Sequence, residues 1–399
     1  MSTIALPAAG TRLALAALPP LALYVHIPWC VRKCPYCDFN SHEARGATPE
    51  REYVEALIAD LESTLPQVWG RRVYSVFFGG GTPSLFSAAS IDALLTAFRA
   101  RLALAADCEI TLEANPGTFE SDKFRDYRAA GVNRLSIGIQ SFDPAHLAAL
   151  GRIHDADEAR RAVEIAHAHF DNFNLDLMYA LPRQTLDEAE ADLAAALACG
   201  APHLSFYHLT LEPNTLFHVQ PPPLPDEELA AAIHDHVGTR LTGAGYVHYE
   251  TSAYARPGRE SRHNLNYWRF GDYLGIGAGA HAKLSFHDRI VRETRARTPA
   301  EYMKRVAEGT QVVERRELAR RELPFEFMMN ALRLAEGFPV PMFLERTGLQ
   351  ITAAEQALAV AEGKGLILRD LDRIRPTELG RRFLNDLLVL FLPEEAGNP

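Results

Sequence analysis

Between Leu21 and about Leu241 the chain alternates two hydrophobic rhythms. Short runs rich in β-branched and aromatic residues fall at Leu21–Pro28, Val73–Phe78, Glu109–Ala114, Arg134–Gly138, Asn172–Met178 and His203–Leu209, and their length predicts strands. Between them, Glu50–Leu65, Ile91–Leu102, Glu158–His169 and Leu186–Ala198 carry apolar residues at helical spacing, which predicts amphipathic helices. Strand–helix units in series predict a parallel sheet with helices outside it. A closed barrel takes eight such units, so the six strands here predict an α/β fold built as a partial, open (β/α)6 barrel over residues 21–243.

The rhythm changes after that. Gln220–Pro225 is proline-rich and reads as a loop, Val247–Tyr254 reads as one more strand, and a glycine-dense run follows at Gly271–Gly279. Residues 244–300 are therefore expected to be a connecting β and loop region. From Glu301 the pattern turns mainly helical, with a short hairpin at Leu366–Arg375 and a last helix at Glu378–Leu390. Helices plus a hairpin predict a small winged-helix-like module in the C-terminal α+β region, 301–399. At the other end, Met1 to Leu23 is apolar but lacks a cationic start and is broken by Pro7, Arg12, Pro19 and Pro20. Neither a signal peptide nor a spanning segment is expected there, and residues 1–20 read as a flexible leader.

Composition narrows the function classes. With 399 residues, 47% of them hydrophobic, the chain can bury large cores. Its 41 basic against 51 acidic residues give a net charge of −10, the wrong sign for a protein that coats nucleic acid. The tail from residue 301 holds 14 basic against 16 acidic residues, so the winged-helix-like pattern does not bring a DNA-binding charge with it. Five cysteines are too few and too unevenly placed for a secreted disulfide scaffold. A cytoplasmic protein is expected.

Three of those cysteines sit within eight residues directly after the first strand, in Cys30-Val-Arg-Lys-Cys34-Pro-Tyr-Cys37. In a reducing compartment such a cluster binds metal or does redox work. Zinc recruits four ligands, and no fourth is evident nearby. Three thiolates suit a [4Fe–4S] cluster with one open iron. Phe78-Gly79-Gly80-Gly81-Thr82-Pro83 follows the second strand, where glycines let backbone approach a ligand closely. Glu113, Gln140, Arg152 and Asp176 fall at or beyond the ends of the third, fourth and fifth strands, the place where ligands gather in parallel α/β arrays.

Tyr24-Val-His-Ile-Pro-Trp-Cys30-x3-Cys34-x2-Cys37 resembles the signature of the radical S-adenosylmethionine (SAM) superfamily, in its oxygen-independent coproporphyrinogen III oxidase branch. The resemblance runs from Tyr24 to the C-terminal helix. It implies that the cysteines bind three irons and that SAM chelates the fourth. It also implies that Tyr24, Gly80, Gly81, Thr82, Glu113, Gln140, Arg152 and Asp176 contact SAM or a neighbouring ligand, with Tyr36 and Phe39 beside the cysteines completing the cofactor contacts. An electron donor such as a flavodoxin or ferredoxin would follow.

The chain departs from that branch at one telling place. Where the oxidases carry a further cysteine after the third, this sequence has Phe39, and its leader is shorter than theirs. In both respects it resembles the sister group, the HemW-type haem chaperones. The segment His263-Asn264-Leu265-Asn266-Tyr267-Trp268 is similar to a motif of that group, and an imidazole beside large aromatics suits a haem niche. His263 is the candidate haem contact; His208, His248 and His281 read as structural, and Cys108 and Cys199 as packing residues. The expected function is a [4Fe–4S], SAM-binding chaperone that carries haem to an acceptor protein. The alternative is an oxygen-independent coproporphyrinogen III oxidase of porphyrin biosynthesis, and a radical SAM enzyme acting on RNA or protein is disfavoured by the acidic tail.

Overall fold

Period-two alternation sorts the strand side chains onto two chemically opposite faces. The computed structural model describes residues 13–118 and 120–393; the first twelve residues of the leader and the last six of the C-terminal region lie outside the described residues. Strands β1 (Leu21–Ile27), β2 (Arg72–Gly80), β3 (Ala103–Ala114), β4 (Arg134–Gln140), β5 (Phe173–Tyr179) and β6 (His203–His208) are parallel neighbours in sequence order. On one face, Val25, Val76, Phe78, Leu112, Ile137 and Leu175 are buried in the main core against the helices. Leu57 and Leu61 of Glu50–Val68, Leu94 and Phe98 of Ala88–Arg101 and Val163 of Ala156–His169 complete that core. The alternate positions, including Tyr24, His26, Ser75, Glu109, Glu113, Asn174 and Asp176, face the other way. One face is oily and the other polar.

The helices start where their capping chemistry allows. Asp155 and Thr185 each form a capping box with the glutamate three residues on, Glu158 and Glu188. The helix Ser121–Ala130 between β3 and β4 was not legible in the hydrophobic pattern, because its apolar stripe is only Phe124, Tyr127 and Ala130.

The sheet is larger than its six parallel strands. Residues 244–300 supply β7 (Val247–Glu250), β8 (Ala253–Ala255), β9 (Asp272–Ile276), β10 (His281–Ser285) and β11 (Ile290–Arg295), and β12 (Val312–Glu317) follows. The order is β12-β11-β10-β9-β1-β2-β3-β4-β5-β6-β8-β7, so β1 lies between β2 and β9, with β9 running parallel to it. The glycine-dense stretch therefore contains the strand Asp272–Ile276 and the turn that follows it at Gly277–Gly279. Glycine is needed there because a β-carbon at Gly275 would run into the backbone of His281 on the adjacent strand. The outermost strands, β12 and β7, are not paired with each other, and the parallel array is an open α/β sheet.

A second core joins the C-terminal region to the rest. Phe327, Phe338, Phe343 and Leu358 pack with Phe270 and Ile290 from the sheet region. Helices Leu323–Ala331, Val340–Thr347 and Glu355–Gly363 precede a hairpin of Ile367–Arg369 and Arg373–Pro376. The last helix is interrupted at Phe383 into Glu378–Arg382 and Leu384–Val389. The described part of the leader is not loose: Leu13 and Leu15 are buried in this second core, and the Leu15 backbone bonds His287 on both sides, N–H to the His287 carbonyl at 2.9 Å and carbonyl to the imidazole at 2.8 Å. Two apolar side chains among prolines and alanines carry too weak a period to reveal that anchoring. No helix of the described residues is long and apolar enough to cross a membrane.

Candidate functional site

β1 ends at Ile27, and the chain then forms the cysteine loop. Its backbone is braced by Trp29–Cys30 pairing with His42–Glu43 and by the Cys37 amide donating to the Cys34 carbonyl at 3.1 Å. The loop is locked to the end of β2: Gly81 N–H donates to Ile27 at 2.8 Å and Thr82 N–H to Trp29 at 2.7 Å. Here the glycine requirement has a cause inside the protein. Gly80 has φ +117, and a β-carbon on it would sit 2.6 Å from the His26 ring, while one on Gly81 would sit 2.5 Å from the Trp29 carbonyl. The run lets two backbones and an imidazole share one space.

Cys30, Cys34 and Cys37 are all free thiols of intermediate exposure. Each sulfur meets donors. Burial pushes the Cys30 thiol up against the opposing hydroxyls of Thr82 and Ser41; burial likewise raises Cys37, whose Sγ lies 3.8 Å from the Ser41 hydroxyl. Cys34 accepts from Arg152 Nη1 at 3.6 Å and from the Tyr36 hydroxyl. Among the described residues no three His, Cys, Asp or Glu side chains converge on a point where one ion would sit. Free sulfurs spread along one loop and surrounded by O–H and N–H donors fit a cluster in which three irons each take one thiolate.

The neighbouring strands bring the other expected residues to the same end of the sheet. Gly80 N–H donates to Glu113 Oε2 at 3.1 Å. Burial, then the nearby Asp176 charge, pushes Glu113 up to about 8, so its carboxyl is protonated at neutral pH. Asp176 is raised by burial too, opposed by hydrogen bonds from Ser136 at 2.8 Å and Asn174 at 2.8 Å. Gln140 ends β4 with φ +68, an unusual conformation for a residue with a side chain. Arg152 Nη2 donates to the Gly138 carbonyl at 2.7 Å. Tyr36 packs on Phe217 with ring centroids 6.4 Å apart, and Phe39 stands 62% exposed at the loop's edge.

Tyr24 joins this end to the interior. Its hydroxyl donates to His26 Nδ1 at 2.9 Å, and His26 Nε2 bonds the Asn40 carbonyl at 2.9 Å; burial lowers His26 to about 4, so the imidazole is neutral. Below it, His263 stacks on Phe77 at 4.8 Å and lies 6.4 Å from the Tyr24 ring. His263 is 2% exposed, bonds Ser75 through Nδ1 at 3.0 Å, and has an unpartnered, buried Nε2. Burial and the Arg134 charge lower it to about 3. His263 thus sits in the interior behind the cysteine loop, not on an outer surface. Of the other histidines, His208 faces Tyr179, His248 stacks on Tyr254 and His281 bonds Thr294.

Two residues of this site had no role assigned from sequence. His26 sits in the quoted motif, and its alternation with Tyr24 on one strand face was the signal that pointed inward. Asn40 carried none: its amide donates to the carbonyls of Ala278 at 2.9 Å and Arg297 at 2.8 Å, both over 230 residues away.

Known proteins share these features. A family model described as Radical SAM superfamily matches residues 24–196, and one described as HemN C-terminal domain matches 318–383. The fold is similar to that of coproporphyrinogen III oxidase (HemN) from Escherichia coli, with a TM-score of 0.80 at 25% identity over 94% of this chain and 90% of that one. Fold and motifs together define an α/β radical SAM protein. By sequence, the chain is 51% identical to the haem chaperone HemW of Escherichia coli (strain K12) over 95% of its own length and 100% of that relative's. It is 48% identical to the haem chaperone HemW of Haemophilus influenzae, over 95% and 99% of the two chains. It is 38% identical to the mitochondrial radical S-adenosyl methionine domain-containing protein 1 of Mus musculus, over 94% and 87%. The chain belongs to the HemW family of radical SAM proteins.

Proposed function

We propose that this chain binds haem in the cytoplasm and passes it to an acceptor protein, while carrying a [4Fe–4S] cluster on Cys30, Cys34 and Cys37 and SAM beside it. The observation that carries this reading is the full-length likeness to relatives named haem chaperones, at 51% identity, together with Phe39 standing where the oxidases have a further cysteine. Tyr24, Tyr36, Phe39, Gly80, Gly81, Thr82, Glu113, Gln140, Arg152 and Asp176 are the proposed cofactor contacts. When bound, the cluster supplies the electron that a sulfonium can accept, and a flavodoxin or ferredoxin would deliver it.

The protein's own part in this is positioning. A protonated Glu113 donates as well as accepts, which suits a polar ligand better than an anion-repelling carboxylate would. His263 is the proposed haem contact through its unpartnered Nε2, and because it is buried, haem reaches it only if the interior opens beside Phe77 and Tyr267. A second reading, coproporphyrinogen III oxidase, is favoured by the TM-score of 0.80 to that enzyme.

One anaerobic experiment separates them. Reconstituted protein is titrated with haem by absorption, and in parallel incubated with coproporphyrinogen III, SAM and a reductant while protoporphyrinogen and 5′-deoxyadenosine are quantified. Haem uptake without protoporphyrinogen supports the chaperone; stoichiometric protoporphyrinogen overturns it. Loss of haem uptake in His263→Ala with the cluster intact would support the interior contact, and unchanged uptake would remove it.

A further inference from the structure

The three cysteine sulfurs are chemically unequal. Hydroxyls face Cys30 and Cys37, from Thr82 and Ser41. Only Cys34 is met by a guanidinium among these contacts, Arg152 Nη1 at 3.6 Å. That guanidinium is fixed from behind, because Nη2 donates to the Gly138 carbonyl at 2.7 Å. It is also carried on a turn pressed against the cysteine loop, since a β-carbon on Gly151 would sit 2.9 Å from Pro35 Cδ. The groups that face its charge are Tyr36 and Cys34.

We propose that Arg152 is a positioning residue that raises the reduction potential of the cluster through a charge-assisted N–H···S hydrogen bond to Cys34. The inference rests on the reading that the cysteines carry a cluster. Adding an electron makes the cluster more negative. A cation and an N–H donor at one sulfur stabilise that state over the oxidised one, and so make reduction easier.

The test is a redox titration followed by electron paramagnetic resonance, without SAM, on reconstituted wild type, Arg152→Met and Arg152→Lys. Arg152→Met is expected to shift the midpoint negative by at least a tenfold change in the reduction equilibrium, 59 mV for one electron. Arg152→Lys keeps the charge and should recover most of the shift. If Arg152→Met fails to hold iron, Arg152→Gln, which retains an N–H donor, takes its place and should lie below Arg152→Lys. An unchanged midpoint in the variant with full iron content overturns the proposal, as does a shift in SAM affinity with no shift in potential. Wild-type protein that takes up no iron would overturn the cluster reading itself, and this inference with it.

Discussion

The two faces of the same parallel strands do different work. On the helix-covered face, Val25, Phe78, Leu112 and Ile137 have no exposed surface and pack within the main hydrophobic core. On the other face, at the intervening positions of the strands, Tyr24, His26, Glu113, Asp176 and His263's neighbour Ser75 are tied into hydrogen bonds, and the ionisable ones are shifted. The first face is a packing problem whose solution is volume and shape. The second keeps polar groups out of water at a cost in stability, and that cost is retained only where chemistry needs it. The comparison predicts that substitutions on the oily face change stability without a chemical signature, and that those on the polar face do the reverse.

The largest effect is expected from Phe78→Ala. It should lower unfolding free energy by about 3–5 kcal/mol through lost burial and a residual cavity. Urea denaturation measures this, and a loss under about 1 kcal/mol would mean that face is not close-packed. Cys34→Ala sharpens the contrast. Iron content should collapse while the metal-free protein stays within about 1 kcal/mol of wild type, because a half-exposed thiol contributes little packing; retention of full iron would break the assignment.

Next comes Glu113→Gln, where the sign can be worked out. The carboxyl's folded value, about 8, lies above its ordinary value of 4.5. The folded state therefore holds the proton more tightly, and wild type loses stability as pH rises from about 5 to 8. The glutamine variant lacks this loss, so it should match wild type near pH 5 and exceed it by about 1–3 kcal/mol at pH 8, on metal-free protein. Parallel pH curves for the two proteins would show that Glu113 is not held neutral. Last comes Asn40→Ala, which removes two amide hydrogen bonds worth about 1 kcal/mol each. Its larger consequence should be kinetic: iron should leave the reconstituted variant several-fold faster under a chelator, and an equal rate would deny Asn40 its role as a clamp.

The sequence exposed whatever is local. Cysteine spacing, the glycine run and helical periodicity all act over fewer than twenty residues, so the cysteine loop, the parallel core strands and helices such as Leu186–Ala198 could be read directly. Contacts set by distant chain could not. β9 was hidden because Gly275 breaks its short apolar run and the strands it pairs with are distant in sequence or follow a glycine turn, and Asn40 gains meaning only from Ala278 and Arg297. His263 was legible as a motif member but not as an interior residue, since burial depends on Ser75 and Phe77 from a strand nearly 190 residues earlier. At Gly80 the glycine run has a reason that spacing does not reveal: the space a β-carbon would take is filled by His26.

Because β1 pairs with β9 as well as β2, the order of synthesis matters. A ribosome delivers the three loop thiols well before the carbonyls of Ala278 and Arg297 that the Asn40 amide behind them binds. Iron delivered earlier would meet an unfastened segment. The cysteine loop is therefore fastened by chain that is made long after the loop itself.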